Sequence, residues 1–257
     1  MSAAKESTYD RSVVQPLPSD RLFAANRAFL REALAYAPDL SVGEQIEGLI
    51  HPREGLLLYT LARRSASVGN VVEIGSYLGR STWYLVQGLK DAGSPYKVIS
   101  IDPHVDPRQR DAYFATLESH ELMDWVDPRV GFSHDVSHSF EDDPVGMLWI
   151  DGDHSYRAAK EDFEDWFPRL ALGGWFAMHD TVNSWLGPTR LARYLLAHRA
   201  DLNDIGVVWL TLFARKSTGH VLRRASALKA RAAFDLLTVM QARRNGLGPQ
   251  HTAAGDR

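Results

Sequence analysis

The chain contains no cysteine, which excludes disulfides, thiolate-ligated metals and a cysteine nucleophile. It has no surplus of either charge: 29 lysines and arginines stand against 32 acids, so the whole-chain pull toward nucleic acid or anionic lipid is absent. No apolar run approaches bilayer length. The first 20 residues, with Lys5, Glu6, Asp10, Arg11 and two prolines, lack the apolar centre of a signal peptide or anchor. The G-x-G-x-x-G spacing of dinucleotide folds is also missing, which disfavours a nicotinamide-dependent oxidoreductase. These absences together lead us to expect a cytoplasmic protein with a small-molecule substrate, no nucleic-acid partner and no membrane insertion.

The apolar share, 45% of 257 residues, supports one α/β domain with extensions. The expected divisions are a flexible arm (1–20), an N-terminal helical cover (21–67), a core (68–217) and a basic C-terminal helix with its tail (218–257). In the cover, helices are expected over 21–37 and 53–64, with a loop over 43–52 that carries His51. In the core, strands are expected over 71–74, 97–101, 125–132, 145–150, 175–178, 207–212 and 213–216, with helices between the parallel ones. This pattern is a doubly wound, mostly parallel seven-stranded sheet. Along 221–244, Leu222, Ala225, Leu228, Ala232, Leu236 and Val239 share one helical stripe, expected to contact a second subunit in a homodimer.

The chain is organised around residues 71–82, Val-Val-Glu-Ile-Gly-Ser-Tyr-Leu-Gly-Arg-Ser-Thr. A β-branched run leads into a turn with Gly75 and Gly79, and Ser81 and Thr82 open a helix. Such a junction lets a ligand approach the backbone, and the amides at the helix start favour an anion or carboxylate. Asp102 ends the second strand, where a ribose needs an acceptor for its hydroxyls.

An acid, one residue, glycine, three residues and glycine, as in Glu73 to Gly79, resembles motif I of the class I S-adenosylmethionine-dependent methyltransferases. The full run Glu-Ile-Gly-Ser-Tyr-Leu-Gly-Arg-Ser is most similar to catechol O-methyltransferase and to the sugar O-methyltransferases of macrolide and aminocoumarin pathways. The resemblance implies that S-adenosylmethionine is held by Glu73, Gly75, Ser76, Tyr77, Gly79, Ser81, Asp102 and Ser133. Relatives place glycine, an acid and serine in the turn after the third strand. This chain has Gly131-Phe132-Ser133, so the acid is lacking there.

The same resemblance covers the ends of the fourth and fifth strands, Asp151-Gly152-Asp153-His154 and His179-Asp180. In the metal-assisted O-methyltransferases these positions hold one divalent ion and a base. The implied ligands here are Asp151, His179 and Asp180, the implied catalytic base is His154, and Asp153 is the alternative base. The expected metal is Mg²⁺ or Mn²⁺, although an imidazole at position 179 departs from the all-oxygen set magnesium prefers. The implied activity is O-methylation of a small hydroxylated acceptor, a sugar or glycoside foremost. A cofactor-binding scaffold without chemistry is the alternative, against which the retained acid and histidine cluster speaks.

Overall fold

The central strands of a seven-stranded sheet are buried on both faces, the pattern that parallel strands covered by helices require. The computed structural model describes residues 17–36, 39–140, 143–182, 187–218 and 224–244. The strands are β1 (Asn70–Ile74), β2 (Val98–Asp102), β3 (Val126–Val130), β4 (Val145–Ile150), β5 (Leu170–Met178), β6 (Leu202–Val208) and β7 (Thr211–Lys216). Their order is β3-β2-β1-β4-β5-β7-β6, and only the pairings of β7 are antiparallel.

The helices are α1 (Pro18–Leu22), α2 (Ala24–Tyr36), α3 (Ser41–Gln45), α4 (Pro52–Ser65), α5 (Arg80–Asp91), α6 (Pro107–Ser119), α7 (Ser133–Ser139), α8 (Tyr156–Trp166), α9 (Gly187–His198) and α10 (Arg224–Arg244). The period-2 alternation of the strands sorts them between two cores. Val71, Met147, Trp149 and Ala177 face α4 and α5, with Leu57, Leu61, Trp83 and Leu85. Val72, Ile74, Leu148, Ile150 and Met178 face α8 and α9, with Phe163, Trp166, Leu191 and Leu195.

Several expected boundaries shift for identifiable reasons. The arm expected through residue 20 meets the fold at α1, where Ser19 and Asp20 are buried and Asp20 pairs with the buried Arg53 at 2.7 Å. The single helix expected over 21–37 is two helices, broken at Phe23, which is extended and packs into the second core. The helix expected from Arg53 starts at Pro52: α4 is buried along most of its length, and the segment before it, Gly48 to Ile50, reaches the cleft.

The strand expected over 175–178 begins earlier, at Leu170, so that Gly173 and Gly174 lie within β5, where the register with β4 shifts between Val145 and Met147. The strand expected over 125–132 stops at Val130, and Phe132 caps the short α7. The last hairpin turns at Trp209 and Leu210 rather than after Leu212, because Asn26 on α2 exchanges two hydrogen bonds with the Val207 backbone and holds β6 there.

On α10 the stripe expected to meet a second subunit stays open in the single chain. Phe234, Leu237, Thr238 and Ala242 are buried, whereas Leu228, Ala232, Leu236 and Val239 are exposed. The backbone of Ala225 lies within α10, whereas Leu222, the loop tryptophan Trp185 and the arm up to residue 16 lie outside the described residues.

Candidate active site

The register of the sheet gathers residues that are far apart in sequence. Ile101, Ile74, Ile150 and Met178 form one row across β2, β1, β4 and β5. The next residue on each strand is Asp102, Gly75, Asp151 or His179, so four strand ends deliver their polar residues to one edge. The ladder continues through that row: Gly75 donates to Ile101 at 2.9 Å, Asp151 to Ile74 at 2.8 Å and His179 to Ile150 at 3.0 Å. Beyond it lies a cavity of about 550 Å³ at the crevice where connections from β1 and β4 leave to opposite faces.

Gly75 lines this cavity at φ +86°, and a Cβ there would lie 2.2 Å from the Asp151 carbonyl oxygen. The closeness of β4 itself therefore demands glycine. Gly79, at φ +92°, caps α5 and faces Thr116 and Tyr113 on α6; it does not line the cavity. Ser76, Tyr77 and Ser81 do line it. Asp102 ties the loop down: Oδ2 accepts from the backbone of Ser76 (2.9 Å) and Tyr77 (3.1 Å), and Oδ1 accepts from His104 (2.8 Å). Oδ1 thus keeps a lone pair for a ligand hydroxyl.

Glu73 does not reach the cavity. The alternation that aims Ile74 at the crevice aims Glu73 beneath α5, where it is fully buried and accepts from Thr82 (2.6 Å) and Ser100 (2.8 Å). Burial pushes its pKa up to about 7 despite those hydrogen bonds. Ser133 lines the cavity from the first turn of α7, with its hydroxyl donated to Asp162 on α8.

At the β4 and β5 ends, His154 Nε2 lies 3.3 Å from Asp180 Oδ2 and 3.8 Å from Asp151 Oδ1. A hydrogen bond donated to Asp151 and the two carboxylate charges raise the His154 pKa against the effect of burial. His179 is buried behind this pair. Its Nδ1 sits 3.1 Å from Asp151 and 3.6 Å from Asp180, and its Nε2 3.3 Å from Glu54. Burial alone would lower the His179 pKa, but the Asp151 charge and hydrogen bonds to Asp151, Asp180 and Glu54 outweigh it and hold the ring as a cation. The same cation keeps Asp151 ionised against burial.

Asp151, His154 and Asp180 come together with ligand atoms within 4.8 Å of one another, a group that could hold a metal ion. His179, the third ligand expected from the sequence, lies on the buried side of this group, its Nδ1 within reach of both carboxylates. Two oxygens and one imidazole fit Mn²⁺ better than Mg²⁺. Asp153 is exposed at the cavity wall, with its carboxylate accepting from the Ser155 backbone at 2.6 Å.

Residues 72–181 match a family model described as a methyltransferase domain. The chain carries a methyltransferase domain. The strand order and the place of the cleft are those of the Rossmann-like methyltransferase fold. A relative, the uncharacterized protein y4gI of Sinorhizobium fredii, is 27% identical over 118 residues, which are 43% of this chain and 13% of that longer protein. Among solved structures, the fold is similar to an O-methyltransferase from Bacillus cereus in complex with S-adenosylhomocysteine (19% identity, 82% of this chain and 96% of that one, TM-score 0.54). It is similar also to the O-methyltransferase TomG of Streptomyces achromogenes in complex with S-adenosylmethionine (18%, 79% and 91%, 0.54). A methyltransferase from Geobacter sulfurreducens is a third (20%, 76% and 89%, 0.53).

Three residues of the methyltransferase domain's surroundings escaped the sequence reading. Glu54 is visible as the third residue of a capping box with His51, yet its carboxylate also takes Leu210, Thr211 and His179, which only the fold brings near. His51 itself caps α4 and stacks on Trp209 at 4.2 Å, outside the cavity. Arg80, read as part of the loop, reaches the carbonyls of Glu44, Ile46 and Ile50 and straps the segment that roofs the cleft. Asp162 is the third.

Proposed function

We propose that this methyltransferase transfers the methyl group of S-adenosylmethionine to a hydroxyl of a small polyhydroxylated acceptor, a sugar or glycoside, with His154 as base. The observation that carries this reading is the row of strand ends, which puts the glycine loop, Asp102 and the cluster of Asp151, His154 and Asp180 in one cavity. The cofactors named with the Bacillus cereus and TomG structures support the donor. Asp102 Oδ1 would take a ribose hydroxyl, and the methionine end would lie along the Gly75 loop toward the β4 end.

The sulfonium supplies the driving force, since its carbon–sulfur bond breaks to leave a neutral thioether as the oxygen–carbon bond forms. What the chain must do is align oxygen, methyl and sulfur, exclude water and accept the hydroxyl proton. His154 takes that proton, and the carboxylates of Asp180 and Asp151 stabilise the imidazolium that results. Asp151, His154 and Asp180 would hold a divalent ion, which when bound would polarise the acceptor oxygen and lower its pKa. One imidazole nitrogen serves one of these roles at a time; in the metal-bound form Asp153 is the remaining base at the cavity wall.

The polar floor favours a polyhydroxylated acceptor. The rim favours a second reading, a phenolic one, because Leu49, Val105 and Phe132 are 87%, 80% and 62% exposed there. We assign the exposed apolar side of α10 to a homodimer contact, to be read by light scattering of the full chain.

The experiment is calorimetric titration of S-adenosylhomocysteine, followed by transfer of labelled methyl from S-adenosylmethionine to a panel of sugars and catechols, with chelator and with added Mn²⁺. Binding is expected in the micromolar range, and His154→Ala is expected to lower turnover by about 10²–10⁴-fold with cofactor affinity retained. Near-normal turnover in that variant rejects His154, and absence of binding rejects the donor.

A further inference from the structure

The cavity is lined by six carboxylates, those of Asp102, Asp151, Asp153, Glu161, Asp162 and Asp180. Asp162 alone among them is buried, at 8% exposure. It lies on α8 beside Phe163 and three residues after Ala159, both core residues, at a place where an apolar side chain would be the stable choice. Burial and the neighbouring charges of Asp165, Glu161 and Asp153 push its pKa up to about 6, only partly offset by Ser133. Such an acid weakens the fold, so its presence asks for a partner that the chain does not supply.

Among the described residues, the one donor to Asp162 is the Ser133 hydroxyl, which occupies Oδ1. Oδ2 faces Gly152, where a Cβ would lie 3.4 Å from it, and Gly152 is itself a cavity residue. Ala158, one turn before Asp162, also lines the wall. Phe132, next to Ser133, exposes its ring at the same side of the cavity. A carboxylate oxygen at the cavity wall that takes no donor from the described residues, with an aromatic face beside it, is the pair of features that recognises a planar heterocycle carrying an amino group.

The position along the cleft agrees. The chemical end is at β4 and β5, around His154 and Asp180. Asp102 is on β2, beyond the glycine loop of β1. Ser133 follows β3, the outermost strand on that side. A nucleoside whose ribose meets Asp102 and whose sulfur lies toward His154 therefore extends its base toward the turn after β3.

We infer that Asp162 recognises the adenine of the cofactor, its Oδ2 accepting a hydrogen from the exocyclic amino group, while Ser133 holds the carboxylate in place and Phe132 packs on the ring. This rests on the proposed donor, S-adenosylmethionine. It moves the base-recognising acid from the turn after β3, where this chain has Phe132, to a helix one crossover later in sequence.

The test compares S-adenosylhomocysteine with its analogue in which the 6-amino group is replaced by hydrogen, titrated into the unaltered chain and into Asp162→Ala. The unaltered chain should prefer the amino form by about tenfold to a hundredfold, the usual value of a hydrogen bond to a charged group. In Asp162→Ala that preference should fall to within about threefold through weaker binding of the amino form, while Asp102→Ala should weaken both ligands and keep the ratio. Thermal unfolding checks that the variant folds; should it fail to, the two titrations of the unaltered chain still decide. Equal binding of both ligands by the unaltered chain, or an unchanged ratio in Asp162→Ala, overturns the assignment alone. No binding of S-adenosylhomocysteine to the unaltered chain overturns it together with the proposed donor.

Discussion

Gly75→Ala tests why the cofactor loop needs its first glycine. At φ +86° an L-residue is strained, by about 1–2 kcal/mol. The added Cβ would also stand 2.2 Å from the Asp151 carbonyl oxygen and 2.6 Å from its carbon. Both are backbone atoms of a strand end pinned by the Asp151 to Ile74 hydrogen bond, so relief must open β1 from β4. Overpacking of this kind costs about 1–3 kcal/mol, and the strained hydrogen bond about 1 kcal/mol more. The expected loss is about 3–6 kcal/mol. Gly79→Ala is the control: φ is +92°, but the nearest atom is the Thr116 methyl at 3.1 Å, which can give way. Its loss should stay near 1–2 kcal/mol. Urea denaturation without ligand gives both values. If Gly75→Ala is as stable as the unaltered chain and loses only cofactor binding, the glycine serves ligand approach and the packing argument is wrong.

Asp20→Ala should cost about 3–5 kcal/mol in the same assay, because it strips the buried Arg53 of its carboxylate and frees Asn26 and the Leu17 amide as well. Adding Arg53→Met should recover most of that loss, and failure to recover would show that the pair is not the cause. Glu73→Gln separates structure from ligand binding. With its pKa raised from 4.5 to about 7, Glu73 binds its proton more tightly folded than unfolded, so the unaltered chain loses stability as pH rises from 4.5 to 7. A glutamine cannot ionise, so the variant's advantage should widen by about 2 kcal/mol between pH 5 and pH 8. A tenfold loss of S-adenosylhomocysteine affinity with no such widening would restore Glu73 to the cofactor site.

Much of the fold is legible in the sequence because it is written in local terms. The β-branched runs of β1 and β4, the glycines at 75 and 79, and the acid that ends β2 each announce an element and its end without reference to the rest of the chain. Boundaries fail where a distant residue decides them. The extent of β6 depends on Asn26, 181 positions away, and the bulge of β5 depends on its register with β4. The side of α10 that packs on the chain itself is not legible for a related reason: apolar spacing marks Leu228 and Leu236, but which side of a helix is buried depends on what lies against it, here Arg193 of α9 held by Asp235.

The sequence alone determined the residue types of the chemistry, since acids and histidines at strand ends have few other reasons to be there, and the order of strands and helices that brings those ends to one edge. Tertiary structure decided the roles within that set. Parity along β1 sent Glu73 into the core and Ile74 to the cleft, and the approach of α4 placed Glu54 against His179, making it a buried cation behind Asp151 while His154 took the open position. The physical reason is one of range. Backbone preference and hydrophobic period act over a few residues and can be read in order, whereas the charge state and aim of a buried side chain depend on neighbours that only the packed sheet supplies.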